Sequence, residues 1–505
     1  MKKNIILSAV LALGMFSSCT DFDELNINPD SVSTVTPGLL ASQLLQGFEF
    51  WNPNASDYAS GNLWLKQTTL CETNPNPYQY YYSYWAYGSV DYSSLTDAKR
   101  MMELAQGTSM EASYKGLFLF LKARKGFLNS LQLGDVPYSE ILKAEEGIMY
   151  PKYDKQKDVF EAALADLKEA ESLFAQGQNF DGDFIYDGDA SKWRKLCNHL
   201  QLRILLTMSK QVTPEYKTRF AEIVAAGNLM ESNDDNFQMD FLDNPNAYYP
   251  YYNGETKRKN HAIAKLLVDE LIRLKDRRLF YFAEPAPALL AEGKTESDFE
   301  AYAGAPSELS AEQLAVNNSN GEYSLLNKRY PVYKVGDPHL MHSYADQCFM
   351  IAEAIEEGWL QGDSKAYYEN GVKAMLKYYM DLSIAASDCH GMAITQDYID
   401  NYFTGAAAYA DTKEERLKQI WMQAWIAFFF QGETDAYFFN FLRTGYPEFP
   451  LNPETSMNPD NKNAYPKRWM YPQDEQTKNP ENYQKAIDEQ FGGVDTTDQT
   501  PWYLQ

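Results

Sequence analysis

Five histidines, 70 acidic residues and 37 tyrosines are the side chains of this 505-residue chain from which chemistry could be built. His339 and His342 form an H-x-x-H, a spacing that on a helix lets two imidazoles share a zinc ion. Pro338 stands beside them and no Glu lies between, so the metalloprotease pattern fails and no metal site is assigned. A glycosidase needs two carboxylates flanking one bond, but with 70 acids such pairs occur at almost any spacing and none can be singled out. No G-x-S-x-G, P-loop or dinucleotide fingerprint occurs. The expectation is a chain with no catalytic residue and no cofactor. The acids Asp181, Asp183, Asp187 and Asp189, interleaved with Gly182 and Gly188, offer oxygen ligands of the kind calcium takes. They lack the EF-hand order and its closing Glu, and the preferred reading is a turn that caps the helix containing Trp193.

What the sequence does concentrate is aromatic surface. Eight of the fifteen residues from Tyr78 to Tyr92 are aromatic, and none is Phe, so every ring carries a polar handle. Such a tract suits a surface that is apolar on its faces and wet at its edges, as a carbohydrate or peptide platform must be. If the tract is extended, Tyr78, Tyr80, Tyr82 and Tyr84 face one side and Tyr81, Trp85 and Tyr87 the other. The even-numbered set is expected to meet ligand, with Trp85 as the exception to that alternation. A second insertion, Asn244 to Gly254, adds Asn246, Tyr248, Tyr249, Tyr251 and Tyr252 as candidate binding residues. Its Pro245, Pro250 and Gly254 preclude a long regular element. A third, Asn327 to His342, carries Tyr330 and Tyr333. Amides such as Asn74, Asn76, Asn246 and Asn253 would hydrogen-bond hydroxyls beside the rings.

These loops need a frame, and periodicity supplies one. From Asp154 to Gln176 the apolar positions Val159, Phe160, Ala163, Leu164, Leu167, Ala170, Leu173 and Phe174 recur at three and four, with Asp154 as the expected cap. A second helix follows Asp189 and Ser191 and ends before Pro214. Ser343 to Leu360 and Ser364 to Leu382, joined by Gln361-Gly362, read as antiparallel neighbours. Leu95 to Gln106 and Ser109 to Leu133 form an earlier pair, joined by Pro37 to Trp51, and Arg416 to Phe430 is a late apolar helix. From Tyr446 onward the chain reads as Pro-rich and irregular. The pattern of pairs is that of tetratricopeptide-type repeats at irregular spacing. No Pro- or Gly/Ser-rich linker divides it, so one helical body decorated by loops is expected.

Lys2 and Lys3 precede the twelve-residue apolar run Ile5 to Phe16, which is too short to span a bilayer, where roughly 20 residues are needed. Residues 1–18 therefore read as an export signal. The small residues Ser17 and Ser18 before Cys19 resemble a lipoprotein box, which implies that Cys19 is acylated and that 19–36 form a lipid-anchored tether ahead of a single domain over 37–505. The acids behind it, Asp21, Asp23 and Glu24, resemble the surface-export signal of Bacteroidetes lipoproteins, implying an outer-membrane position facing outward. Without residues 1–18 the chain holds 43 basic and 70 acidic residues, a formal charge of −27 that disfavours nucleic acid as a partner. The other cysteines, Cys71, Cys197, Cys348 and Cys389, are too widely spaced for zinc. They read as buried thiols, with two disulfides in three possible pairings left open.

Several stretches taken in order resemble the SusD/RagB-like outer-membrane lipoproteins. They are Phe22-Asp23-Glu24-Leu25-Asn26 with Asn28-Pro29; Gly134-Asp135-Val136-Pro137-Tyr138; Asp189 with Lys192-Trp193 and Leu202-Arg203; Ala352-Glu353-Ala354 with Gly358-Trp359; Trp421 through Gly432; Arg443-Thr444-Gly445-Tyr446-Pro447; and Arg468 with Tyr471-Pro472 and Glu475. Leu442 stands where that family usually has the first of two Arg. The resemblance implies a mainly α fold, an α/α superhelix of about four tetratricopeptide-like helix pairs with long irregular insertions and little β-structure. It also implies a nutrient-binding partner of a TonB-dependent, SusC-like transporter, with oligosaccharide as the expected cargo and peptide as the alternative; a surface glycoside hydrolase is a lesser reading from a different class. Ligand residues vary within the family, so the aromatic loops stand on this sequence alone.

Overall fold

A computed structural model describes residues 35–47, 55–81, 90–431 and 434–505. Among them the helices of ten residues or more are α1 (Pro37–Gln46), α2 (Ala55–Trp64), α3 (Ser93–Leu104), α4 (Glu111–Leu133), α5 (Gln156–Gln176), α6 (Ala190–Thr207), α7 (Pro214–Ala226), α8 (Lys265–Leu274), α9 (Tyr344–Glu356), α10 (Ser364–Met380), α11 (Lys413–Ala427), α12 (Thr434–Thr444) and α13 (Pro480–Phe491). Four short strands complete the frame: β1 (Thr68–Leu70), β2 (Phe237–Met239), β3 (His261–Ile263) and β4 (His339–His342), paired antiparallel as β1 with β3 and β2 with β4. The fold is mainly α, as the helical periodicity predicts. No described helix is long and apolar enough to cross a membrane.

The expected helix pairs form. Helix α4 packs along α5, α5 along α6, and α9 along α10, with α11 against α9. Val159, Phe160, Ala163, Leu164, Leu167, Ala170 and Phe174 all turn inward from α5. Asp189 caps α6 by accepting from Ser191 N, and Ser343 caps α9 by accepting from Asp346 N, as their residue types favour. Asp154 does not cap α5. Its carboxylate instead accepts from Tyr138 N at 3.0 Å and Ser139 N at 2.7 Å, bracing the Gly134 to Tyr138 turn against the helix start. Helix α9 stops at Glu356, short of Leu360, because Gly358 takes φ +70 and Trp359 N folds back onto Ala354 O at 2.8 Å. The C-terminal section is also more regular than its prolines suggest. Pro480 opens α13 and Gly492 closes it at φ +64, so part of the stretch read as irregular is a helix with start and stop signals of its own.

Trp193 lies at the centre of the first half, fully buried among Phe120, Phe174, Tyr186 and Phe237. The acidic turn supplies its polar partner. Asp183 accepts from Trp193 Nε1 at 2.7 Å and from the main-chain N–H groups of Ile185, Tyr186 and Gly188. Both carboxylate oxygens are thus committed to N–H donors, which gives the tract a structural role. Asp183→Asn would turn an amide N–H2 toward one pair of these donors, and a loss of about 1–2 kcal/mol is expected in urea unfolding. An unchanged midpoint would contradict that role.

The H-x-x-H occupies β4, where positions three apart face opposite sides. His342 is buried against His199, ring centroids 5.0 Å apart, and burial, then His199, holds it well below the usual imidazole range. Among the described residues no group of three or more metal-capable side chains comes together. Cys71, Cys197, Cys348 and Cys389 are buried free thiols, which closes the disulfide question in favour of the apolar reading.

Candidate functional site

The second and third insertions are tied to each other by main-chain bonds: Tyr249 N donates to Lys334 O at 2.6 Å, and Asn253 N to Pro331 O at 2.9 Å. The third is itself held from inside. Buried Arg329 grips both carboxylate oxygens of Asp337, donates through Nε to Tyr281 O at 3.0 Å and lies over the Tyr330 ring at 4.2 Å. Asn327 adds bonds to Phe280 O and Asp388 O. Gly336, at φ +59, is required here because a Cβ would lie 2.3 Å from the Tyr249 ring.

That clamp decides which tyrosines face out. Tyr249 and Tyr251 point inward: Tyr249 packs edge-on against Phe241, while the Tyr251 hydroxyl pairs with His261 Nδ1 at 3.1 Å and its ring meets Phe430. Their assignment as ligand residues is therefore corrected to core. Tyr248 and Tyr252 remain half-exposed, edge to face at 5.2 Å, with the Lys334 ammonium 5.2 Å over Tyr248. Burial pushes His261 down to about 4, so it is neutral beneath this loop. Because its folded value lies below the ordinary 6.5, the stability tied to neutral His261 is complete above about pH 6.5 and is lost as pH falls toward about 4. In an NMR pH titration the His261 imidazole is expected to stay neutral until near pH 4; a midpoint close to 6.5 would contradict the packing described.

The described start of the aromatic tract is a turn, not a strand, so the proposed alternation does not hold there. Tyr81 takes φ +58 and is buried. Tyr80 is buried too, its hydroxyl donating to Leu309 O at 2.8 Å, and is corrected from ligand to core. Buried Lys66 holds this turn, its Nζ donating to Gln79 O and lying 4.2 Å from the Tyr81 ring centroid. Burial pulls that amine down to about 7. Tyr78 is half-buried, edge-on to Trp64 at 5.9 Å. Tyr82, Trp85 and Cys19 lie outside the described residues. The tract and the tyrosine loop flank one two-stranded sheet, since Leu70 of β1 pairs with His261 of β3 and receives Gln79 Oε1 on its N–H.

Beside the tyrosine loop opens a cleft of about 1280 Å³, larger than the roughly 300–1,000 Å³ of small-molecule pockets. Its walls are the end of α1, the turn 184–186, the stretch 233–240 and the loop 242–247. Helix α1 is pinned in place where Ser42 Oγ donates to Gly182 O at 2.7 Å. Gly182, at φ +88, sits so close that a Cβ would be 1.9 Å from Gly38 O. Two apolar side chains stand at the opening, Phe184 at 41% and Leu242 at 59% exposure. Amides and acids line the rest, among them Asn236, Gln238, Asp240 and Asn246. Among the described residues, Asn246 is thus the one predicted residue that lines the cleft. Phe184, Asn236 and Asp240 escaped notice, although the amide- and acid-rich run from Asn233 to Asp240 directly precedes the tyrosine loop and could have been read with it. The arrangement offers apolar faces, ring edges and hydroxyl-matching amides to an extended polar ligand.

Residues 29–472 match the SusD-like family described as starch-binding and associating with the outer membrane. Among solved structures the chain is similar to a SusD homologue from Bacteroides fragilis, at 36% identity and TM-score 0.87, covering 93% of this chain and 100% of that one. It is also similar to a protein from Bacteroides vulgatus described as a putative outer membrane protein, probably involved in nutrient binding, at 32% identity and TM-score 0.82 with 93% and 100% covered. A chitin-binding protein at 24% identity and TM-score 0.71, with 93% and 100% covered, shares the fold. No curated protein matches the sequence.

Proposed function

Because the chain belongs to the SusD-like family associated with the outer membrane, we propose that it is a surface lipoprotein, anchored through Cys19, that binds oligosaccharides and delivers them to a TonB-dependent, SusC-like transporter. The observation that carries the reading is the cleft of about 1280 Å³ with Phe184 and Leu242 at its opening, continuous in sequence with half-exposed Tyr248 and Tyr252. Sugar rings have apolar faces and hydroxyl edges, and this surface presents both complements. The proposal is capture rather than turnover, and no catalytic residue is assigned. Tyr78, Tyr82, Trp85 and Asn246 stay within the proposed ligand surface, Tyr82 and Trp85 from sequence alone.

Peptide cargo is the second reading, favoured by one feature. Strand β2 pairs with β4, and its Gln238 and Met239 line the cleft, so a strand edge is at hand for an extended chain. Calorimetric titration with neutral oligosaccharides and with extended peptides separates the two. Saccharide binding without peptide binding is expected; the reverse would transfer the site to peptides, and binding of neither would remove the proposal.

A further inference from the structure

We infer that the cleft selects by charge, accepting neutral or amine-bearing saccharides and rejecting uronate- or sulfate-bearing ones, with Asp234 and Asp240 as specificity-determining residues. This rests on the glycan reading above. Among the described residues no Lys, Arg or His lines the cleft, whereas Asp234 and Asp240 do. The Asp240 carboxylate accepts from Gln238 Nε2 at 2.9 Å and forms no ion pair among the described residues. The neighbouring cations are committed elsewhere. Lys195 pairs with Glu231 and Asp235, and Lys334 with Asp243. Lys192 donates to the main-chain oxygen of Asp234 at 2.7 Å and lies 5.6 Å over the Tyr186 ring, which offsets one of the two acids.

A second observation points into the same space. Asn236 is only 4% exposed, and its Oδ1 accepts from Tyr344 N at 2.8 Å at the start of α9. Asn236 lines the cleft, and with Oδ1 committed its Nδ2 keeps its donor capacity, no acceptor for it being present among the described residues. One fixed donor suits a hydroxyl or acetamido oxygen. Two ionised carboxylates are acceptors only, so they take hydroxyl or ammonium hydrogens and repel a ligand carboxylate or sulfate. An unpaired like charge at a binding surface is a device for rejecting partners, and both acids are exposed enough for salt to screen it.

The test uses the purified full chain and a pool of maltohexaose, cellohexaose and mannohexaose, each also after oxidation of its C6 alcohols to carboxylates. The neutral forms are expected to bind about tenfold or more tighter than their oxidised counterparts at low salt. That gap should narrow in high salt and in the Asp234→Asn/Asp240→Asn variant. Equal or tighter binding of an oxidised hexamer would overturn the charge selection while leaving glycan capture intact. A gap that persists unchanged in the double variant would remove these two residues from the role. Failure of every hexamer in both forms would count against glycan capture itself, and the inference would fall with it.

Discussion

Arg443→Ala is expected to cost about 3–5 kcal/mol of stability, because it leaves a buried carboxylate without its partner. Arg443, on α12, donates through Nη1 to Glu353 Oε1 at 2.6 Å and through Nη2 to Oε2 at 3.0 Å, joining α12 to α9. The same guanidinium reaches Ser209 Oγ at 3.0 Å and Asn440 Oδ1 at 2.6 Å, so four oxygens on three side chains lose a donor at once. Glu353 is almost wholly inside the protein, where an unpaired charge has neither water nor a counterion. Arg443→Lys keeps the charge but cannot reproduce the two parallel bonds, and an intermediate loss is expected. Replacing both members by apolar residues of similar volume should recover much of the loss, since the penalty lies in the orphaned charge rather than in the bridge itself. Urea unfolding of the single and double variants measures this, and a single-variant loss below about 1 kcal/mol would show that water reaches Glu353. Leu442 precedes Arg443, and among the described residues Arg443 is the cation that bridges to Glu353.

Removing both half-exposed rings, Tyr248→Ala with Tyr252→Ala, is expected to weaken oligosaccharide binding about tenfold to a hundredfold, on the order of 0.5–1.5 kcal/mol for each ring contact. The Tyr248 hydroxyl meets only the exposed Lys334 ammonium among the described residues, and the loop is held by other groups: Tyr249, Tyr251, His261 and the Arg329–Asp337 clamp. Stability should therefore change little, which separates a binding loss from an unfolding loss. The comparison with Tyr249→Ala is informative. That ring lies under Gly336 and against Phe241, so its removal should lower stability first and binding only through the loop. Unchanged affinity in the double variant would take the tyrosine loop out of the binding surface.

The frame was legible because its signals are local. Apolar residues at three and four mark α5, and Asp189 and Ser343 each satisfy helix N–H groups a few residues away. Expectation failed where one residue had two possible jobs: Asp154 bonds across to Ser139 rather than along its own helix, and the Pro-rich stretch read as irregular holds a helix that Pro480 opens. The binding loops were legible as loops, from their Asn, Pro and Gly, but not in orientation. Whether Tyr248 or Tyr249 faces outward depends on main-chain bonds to Lys334 and Pro331 and on a clamp between Arg329 and Asp337. None of those partners is near in sequence to the tyrosines, so alternation within one segment could not settle it. The cleft was invisible for the same reason. Its described walls come from three stretches separated in sequence, 42–47, 184–186 and 233–247, and of the described lining residues Asn246 is the one read as a binding residue.

The central claim is that saccharide is captured in this cleft and along its tyrosine border, and a crystal structure of the chain with a bound neutral oligosaccharide tests it most directly. The account predicts sugar rings against Phe184 and against Tyr248 or Tyr252, with a hydroxyl or acetamido oxygen on Asn236 Nδ2. A saccharide bound elsewhere on the molecule, with the cleft between α1 and the 242–247 loop left to solvent, would contradict it.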